Sequence, residues 1–284
     1  MLRAPLETKV PGMDRRRMMM LAGFGALAAT VPTASAGAAP ARSGTYLFHD
    51  EFDGPAGSAP EPSKWVVANQ RTPIKNPTGF DRPEFFGQYR DSRQNVFVDG
   101  KSNLVLRASR EGGNYFGGLV SGTWRGAIGT TWEARIKLNC LTGGCWPAWW
   151  LSNDDPGRSG EVDLMEWYGN GQWPAGTTVH ANPDGTAFQT HPIAVDGGWH
   201  TWRVTWNPGG MQFWEDYAEG AEPYFSVPAT GIEDLHDPIR MWPFNDVGYT
   251  MFPMLNLAVG GSGAGDPASG SYPAEMLVDW VRVF

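Results

Sequence analysis

From Thr45 to Phe284 apolar side chains keep recurring at every second position, and this constrains the fold more than any other feature of the chain. Across Thr131 to Leu138, the residues Trp132, Ala134, Ile136 and Leu138 share one side, while Glu133, Arg135 and Lys137 take the other. Trp199 to Trp206 repeats the arrangement, with Trp202, Val204 and Trp206 set against Arg203 and Thr205. Met276 to Phe284 alternates as well. A period of two belongs to half-buried β-strands, and helical spacing is nearly absent after residue 36. Val96–Val98 and Leu104–Ala108 flank Asp99-Gly100-Lys101-Ser102-Asn103, which reads as a hairpin loop. The 37 Gly and 23 Pro supply turns between such strands. The expected fold is therefore all-β, two stacked antiparallel sheets in a sandwich or jelly roll. Trp132, Trp202, Trp206 and Trp280 are expected in its core.

Residues 1–36 obey a different logic. A polar start reaches Arg15-Arg16-Arg17, an apolar run follows from Met18 to Ala29, and Ala34-Ser35-Ala36 closes it. Charged start, short apolar run and small-x-small ending together read as a signal peptide cleaved near Ala36. The arginine pair points to the twin-arginine route, with an ordinary secretory signal as the alternative. The apolar run falls short of the ~20 residues that span a bilayer. The mature chain is thus expected outside the cell or in its envelope, with no membrane segment. A short linker over 37–44 precedes one domain over 45–284. No repeat or second linker interrupts that domain, and a monomer is expected.

Charge narrows the partners. Of the 22 basic and 30 acidic residues, the leader takes five and two, leaving 17 against 28 and a formal charge of −11. Such a chain lacks the basic footprint of a nucleic-acid binder, and the balance favours a neutral partner over a polyanion. Cys140 and Cys145 are the two cysteines. In an exported chain they are placed to close a small disulfide loop. Two free thiols are the alternative, because spacing does not fix Cβ geometry. No CxxC…CxxC or HExxH metal pattern occurs.

The segment carrying the chemistry is Gly160-Glu161-Val162-Asp163-Leu164-Met165-Glu166-Trp167. In a regular strand Glu161 and Asp163 share a face, and Glu166, at an odd offset, points away. A one-residue bulge around Leu164-Met165 brings it back. Three carboxylates along one face are electrostatically costly for a strand that only packs. A retaining glycosidase has a use for them: one ionised carboxylate attacks the anomeric carbon, and a protonated one donates to the leaving oxygen, ~5–5.5 Å away. Asp163 between them can accept a hydrogen bond or hold a proton, and its charge can raise the acid. Two carboxyl groups supply nucleophile and proton, so catalysis needs no cofactor.

Glu161-Val162-Asp163-Leu164-Met165-Glu166 resembles the active-site signature of glycoside hydrolase family 16, in the bulged form of its laminarinase-like (endo-β-1,3-glucanase) members. Phe48–Gly54, Trp146-Pro147-Ala148-Trp149-Trp150, Gly176–His180, Trp199–Trp202, Leu255–Gly261 and Val278–Val283 resemble further strands of that family in the right order. The resemblance covers essentially all of 45–284. It implies a β-jelly roll with a cleft across a concave sheet. It also implies retention of configuration, with Glu161 as nucleophile, Glu166 as acid/base and Asp163 as the assisting carboxylate. By position it assigns substrate contacts to Trp146, Trp150, Trp167, His180 and Glu84. Aromatic faces suit the apolar side of a sugar ring. Members often hold a structural calcium, for which Glu51 and Asp279 are the candidate ligands; hard oxygen donors suit that ion.

The chain departs from the family at two places. Phe80–Phe86, which contains Glu84, stands where an Asn-x-Glu stretch lines the donor subsites. Gly129-Thr130-Thr131 stands where Tyr-Gly-Arg is usual. The expected activity is endo-hydrolysis of a neutral β-1,3- or mixed β-1,3/1,4-glucan by double displacement. Transglycosylation, action on another β-glycan of galactan type, and lectin-like binding without turnover are the alternatives. A serine hydrolase is disfavoured, since Gly260-Gly261-Ser262-Gly263 is not a G-x-S-x-G elbow.

Overall fold

Strand after strand forms where the alternation is strongest. The computed structural model describes residues 45–69, 88–155 and 157–284, so the expected leader, the linker and Glu84 lie outside the described residues. In chain order the first strands are β1 (Phe48–Asp50), β2 (Trp65–Val67), β3 (Gln88–Tyr89), β4 (Val96–Val98), β5 (Leu104–Glu111) and β6 (Asn114–Gly122). They are followed by β7 (Thr131–Asn139), β8 (Cys145–Ser152), β9 (Glu161–Glu166), β10 (Gly176–His180), β11 (Phe188–Pro192) and β12 (Trp199–Asn207). The last are β13 (Gly210–Glu215), β14 (Phe225–Pro228), β15 (Ile232–Glu233), β16 (Arg240–Met241), β17 (Phe252–Val259) and β18 (Ala274–Val283).

Hydrogen bonding runs in the order β11-β10-β9-β8-β17-β6-β5-β18-β7-β12-β13-β14, with β1 on β18, β2 and β3 on β6, and β4 on β5. The β5–β6 hairpin joins the two halves of this path. The halves stack as the two sheets of a jelly roll, and nearly all pairs are antiparallel, as the alternation predicted. The expected hairpin is present, with Val96 opposite Leu106 and Val98 opposite Leu104. Its loop is held by Asp99 Oδ1, which accepts from the amides of Lys101 and Asn103. Gly100 has φ of +76°, and a Cβ there would press on Ala56.

The core between the sheets collects the predicted faces. Trp132, Ala134 and Ile136 from β7 meet Trp202, Val204 and Trp206 from β12, and all are essentially inaccessible. Truncating a buried Trp of this kind to Ala costs about 3–5 kcal/mol. Trp280 is buried too, beneath the Arg282 guanidinium at 4.1 Å from its ring centroid. The opposite face of β7 and β12 is tied by Arg203, which donates from Nε to Glu133 Oε1 over 2.9 Å.

One strand departs from simple alternation. In β18 the register against β7 shifts between Val278 and Trp280. Met276 and Val278 enter the core before the shift, and Val281 and Val283 after it. Alternation points Asp279 outward, where Arg135 Nη1 donates to its Oδ2. The extra residue sets Trp280 on the outer face with Arg282 and not, as expected, in the core between the sheets. Glu51, the other candidate calcium ligand, receives Arg282 Nε on one oxygen (3.0 Å) and Nη2 on the other (2.8 Å). Each carboxylate closes on a different guanidinium. Neither belongs to a group of three ligating side chains among the described residues. As a side-chain pair, Glu51 and Asp279 do not fit a calcium ion.

The expected disulfide is likewise absent. Cys140, just after β7, and Cys145, at the start of β8, are buried free thiols. Burial pushes the Cys145 thiol up to about 12 and Cys140 well above its ordinary value. Neither forms the thiolate that exchange chemistry requires at neutral pH.

Candidate active site

β9 lies between β8 and β10, and the register on both sides shows where the extra residue sits. Against β8, Asp163 opposes Trp150 and Met165 opposes Trp149, so Leu164 has no partner of its own. Against β10, Asp163 opposes Thr178 and Glu166 opposes Gly176, which leaves Thr177 facing two residues. Thr177 Oγ1 donates to the Leu164 carbonyl over 2.8 Å and satisfies the backbone that the bulge frees. Val162, Leu164 and Met165 all join the core between the sheets. Asp163 and Glu166 are buried, and alternation about the bulge sets them with Glu161 on the face of β9 away from those core residues. The bulge is the one the spacing predicts.

The carboxylates sit in unequal surroundings. Glu166 is 8% exposed. Its Oε1 accepts from the Trp146 indole Nε1 over 2.9 Å, and its Oε2 accepts from the Tyr168 hydroxyl over 2.7 Å. Asp163 is 3% exposed. Burial, and then the negative charge of Glu166 beside it, raise its carboxyl well above the ordinary value. Burial thus disfavours a charge on Asp163, and in its neutral form the carboxyl can donate a hydrogen bond. Its Oδ2 lies 3.4 Å from His180 Nε2. His180 stands opposite Glu161 in the β9–β10 register and rests on the Phe188 ring, 5.8 Å between centroids. Polar atoms of Glu161, Asp163 and His180 all lie within 4.8 Å of one another.

Of the predicted substrate contacts, the structure brings together Trp146 and His180 with the three acids and relocates the other two. Trp146 arrives as a hydrogen-bond donor and not as an open stacking face. The backbone at Gly263 covers its indole so closely that a Cβ there would lie 2.5 Å from the ring. Trp150 is 2% exposed. Its Nε1 donates to Asn256 Oδ1 over 2.8 Å, while Asn256 Nδ2 donates back to the Trp146 carbonyl. Trp150 therefore braces β8 against β17 from within a small cluster with Phe252 and Met254. Trp167 packs against the core between the sheets, on the face opposite Glu166, because alternation resumes once the bulge is passed. The aromatic on the cleft side is the next residue, Tyr168. It clusters with Trp146, Ala258 and Ala264 and meets Trp173 edge-on at 5.3 Å. An even offset from Glu166 was the signal that could have found it.

A second gathering of ligand-type side chains, His200, Glu215 and Asp216, lies where β12 begins and β13 ends. It is remote in register from β9.

Residues 84–222 match the family model for glycosyl hydrolases family 16. Among solved structures the chain is similar to an immunostimulatory antigen and pseudo β-1,3-glucanase of Mycobacterium tuberculosis. They are 80% identical with a TM-score of 0.78, over 85% of this chain and 99% of that one. It is also similar to a glycosyl hydrolase family 16 protein of Mycobacterium smegmatis, 56% identical with a TM-score of 0.75, over 84% of this chain and 100% of the other. A curated relative is glucan endo-1,3-beta-glucosidase A1 of Niallia circulans, 27% identical over 84% of this chain and 37% of its own length. The chain spans about a third of the length of the curated relatives it matches first, 28% and 37%.

Proposed function

The chain belongs to glycosyl hydrolases family 16, and on that premise we propose that it is an exported retaining endo-hydrolase of a neutral β-1,3- or mixed β-1,3/1,4-glucan. The observation carrying this reading is the bulge at Leu164, which gathers Glu161, Asp163 and Glu166 on one face of β9 in unequal surroundings. Glu161 attacks the anomeric carbon while Glu166 gives its proton to the leaving glycosidic oxygen, and a covalent glycosyl-enzyme forms. Glu166, now ionised, takes a proton from water, which displaces the sugar from Glu161 with net retention. Asp163 keeps its proton through both steps and can donate to the nucleophile without adding a third negative charge. A relative described as a glucan endo-1,3-beta-glucosidase supports the linkage.

The test is Glu161→Ala assayed on laminarin and lichenan. Reducing ends should disappear, and azide should restore turnover by forming a glycosyl azide in the vacated space. Full activity in that variant sinks the assignment. Export by the twin-arginine route belongs to the same proposal, and replacing Arg15, Arg16 and Arg17 by Lys should hold the precursor inside the cell. Unchanged secretion would remove that part alone.

A second reading is glycan binding without turnover. It is favoured by the description of the 80% identical relative as a pseudo β-1,3-glucanase, and by the two donors that occupy both oxygens of Glu166. Wild-type protein that retains laminarin on a column yet releases no reducing ends from any β-glucan would establish it.

A further inference from the structure

Glu166 must hold a proton to act as an acid, and its surroundings favour the opposite state. The Trp146 indole N–H can only donate, so at Oε1 it stabilises the carboxylate over the carboxylic acid. The Tyr168 hydroxyl donates to Oε2 and favours the ionised form in the same way. All three side chains are buried, at 8%, 7% and 9% exposure for Glu166, Trp146 and Tyr168. Neither donor is therefore readily exchanged for water.

We infer that Tyr168 is a positioning residue that holds Glu166 as a carboxylate, with Trp146 as the fixed second donor, and so sets how readily the cleft can protonate a leaving sugar. The inference rests on reading Glu166 as the proton donor. The other titratable groups of the cleft side fit it. Burial first, and then the Glu166 charge, keep the Tyr168 hydroxyl protonated and donating. Asp163, on the same strand, is raised by burial and by that same charge. Glu161 adds a further negative charge felt at Tyr168. His180, on β10, contacts Asp163. Tyr89 packs against the Trp146–Tyr168 cluster with its hydroxyl kept neutral by burial. Of the two donors on Glu166, the tyrosine is the one whose hydroxyl can turn.

The variant Tyr168→Phe tests this in the full chain. Losing a hydrogen bond to a charged group should move the alkaline limb of kcat/KM on laminarin upward by about one pH unit. A dinitrophenyl laminari-oligoside, whose leaving group needs little protonation, should change less than about twofold. A merely structural tyrosine would depress both substrates alike. Carboxyl-carbon NMR of the Glu-labelled protein, assigned with Glu166→Gln, reads the same event without turnover. The Glu166 midpoint should rise by about one pH unit in Tyr168→Phe. An unmoved midpoint in folded Tyr168→Phe overturns the inference. Should that variant not fold, wild-type protein in which Glu166 keeps its proton to higher pH than Asp163 overturns it equally. A protein that turns over no glucan but shows the midpoint shift keeps this inference and loses the proposed hydrolysis.

Discussion

Two places in this molecule gather one histidine and several carboxylates, and they treat the charge in opposite ways. At the start of β12, His200 Nδ1 lies 2.8 Å from Asp216 Oδ2 and 3.1 Å from Glu215 Oε1, and Nε2 lies 3.0 Å from Asp196 Oδ1. The Asp216 hydrogen bond, with those of its neighbours, lifts the imidazole to about 9. Burial pushes Asp216 up, but the His200 bond, the Thr201 amide and the His200 and Arg135 charges together bring it below its ordinary value. Only Glu215, more deeply set, is pushed up, to about 7. Asp216 also accepts from the Thr201 amide and donates its own amide to the Thr201 carbonyl, which pins the end of β13 to β12. On β9 the histidine makes one looser approach of 3.4 Å to Asp163, whose carboxyl is pushed up by burial and the Glu166 charge, and Glu166 is held by uncharged donors. The β12 cluster uses acids to hold a cation and knit strands. The β9 cluster buries Asp163 and Glu166 and holds Glu166 by two uncharged donors, Trp146 and Tyr168.

The sharpest way to break this contrast is to remove the bulge. Deleting Leu164 and Met165 together leaves Glu166 at an odd offset from Glu161 on a regular strand, so it should face the core. The deletion should reduce laminarin hydrolysis by ~10²–10⁴-fold and destabilise the fold by several kcal/mol as a carboxyl group loses its donors. Surviving activity would mean that the bulge does not gather the catalyst.

A matched pair comes next. Asp163→Asn should lower turnover about 100-fold and shift Tm little, since burial already disfavours a charge at Asp163. Asp216→Asn should leave turnover alone and cost roughly 1 kcal/mol, because that ion pair is partly solvated. Equal effects on activity would erase the distinction between the two clusters.

Acidity separates them further. His200 binds its proton more tightly when folded, so its stabilisation is complete below about 6.5 and vanishes as the pH rises through about 9. Glu215, also raised, loses its contribution in the same direction between 4.5 and about 7. Tm should therefore fall by a few degrees, on the order of 2–4 °C per kcal/mol, as pH climbs from neutrality to 9, and His200→Gln should flatten that slope. The smallest effect concerns calcium: EDTA should leave Tm within about 1 °C, because Glu51 and Asp279 are already neutralised by Arg282 and Arg135. A larger drop would restore an ion to that edge.

Much of this was legible in the sequence where the physics is local. The alternation of Trp132 to Leu138 fixed a strand and its inner face, and the odd spacing of Glu161 and Glu166 demanded a bulge. Tyr168 followed from the same rule but was passed over for Trp167, whose larger ring drew attention to the wrong face. What stayed hidden depends on distant partners. Nothing near Trp146 announces that Gly263 will cover its indole, nor near Trp150 that Asn256 will bury it. The β12 cluster draws on Asp196, His200 and Glu215-Asp216 from separate stretches, so no short motif could display it. The cysteine spacing permitted a bridge without requiring one.

The order of strands has a consequence for biogenesis. β17 is the partner that joins the acid-bearing β8–β9–β10 unit to β6, and β18 is wedged between β5 and β7. Both sheets thus receive their central member from the final stretch of polypeptide, residues 252–284. A ribosome must release nearly the entire chain before either sheet can close, and such distant pairings make assembly slow. A nascent chain waiting in that state presents unpaired edges to its surroundings. Truncation ahead of Phe252 should leave an aggregation-prone product instead of a smaller domain.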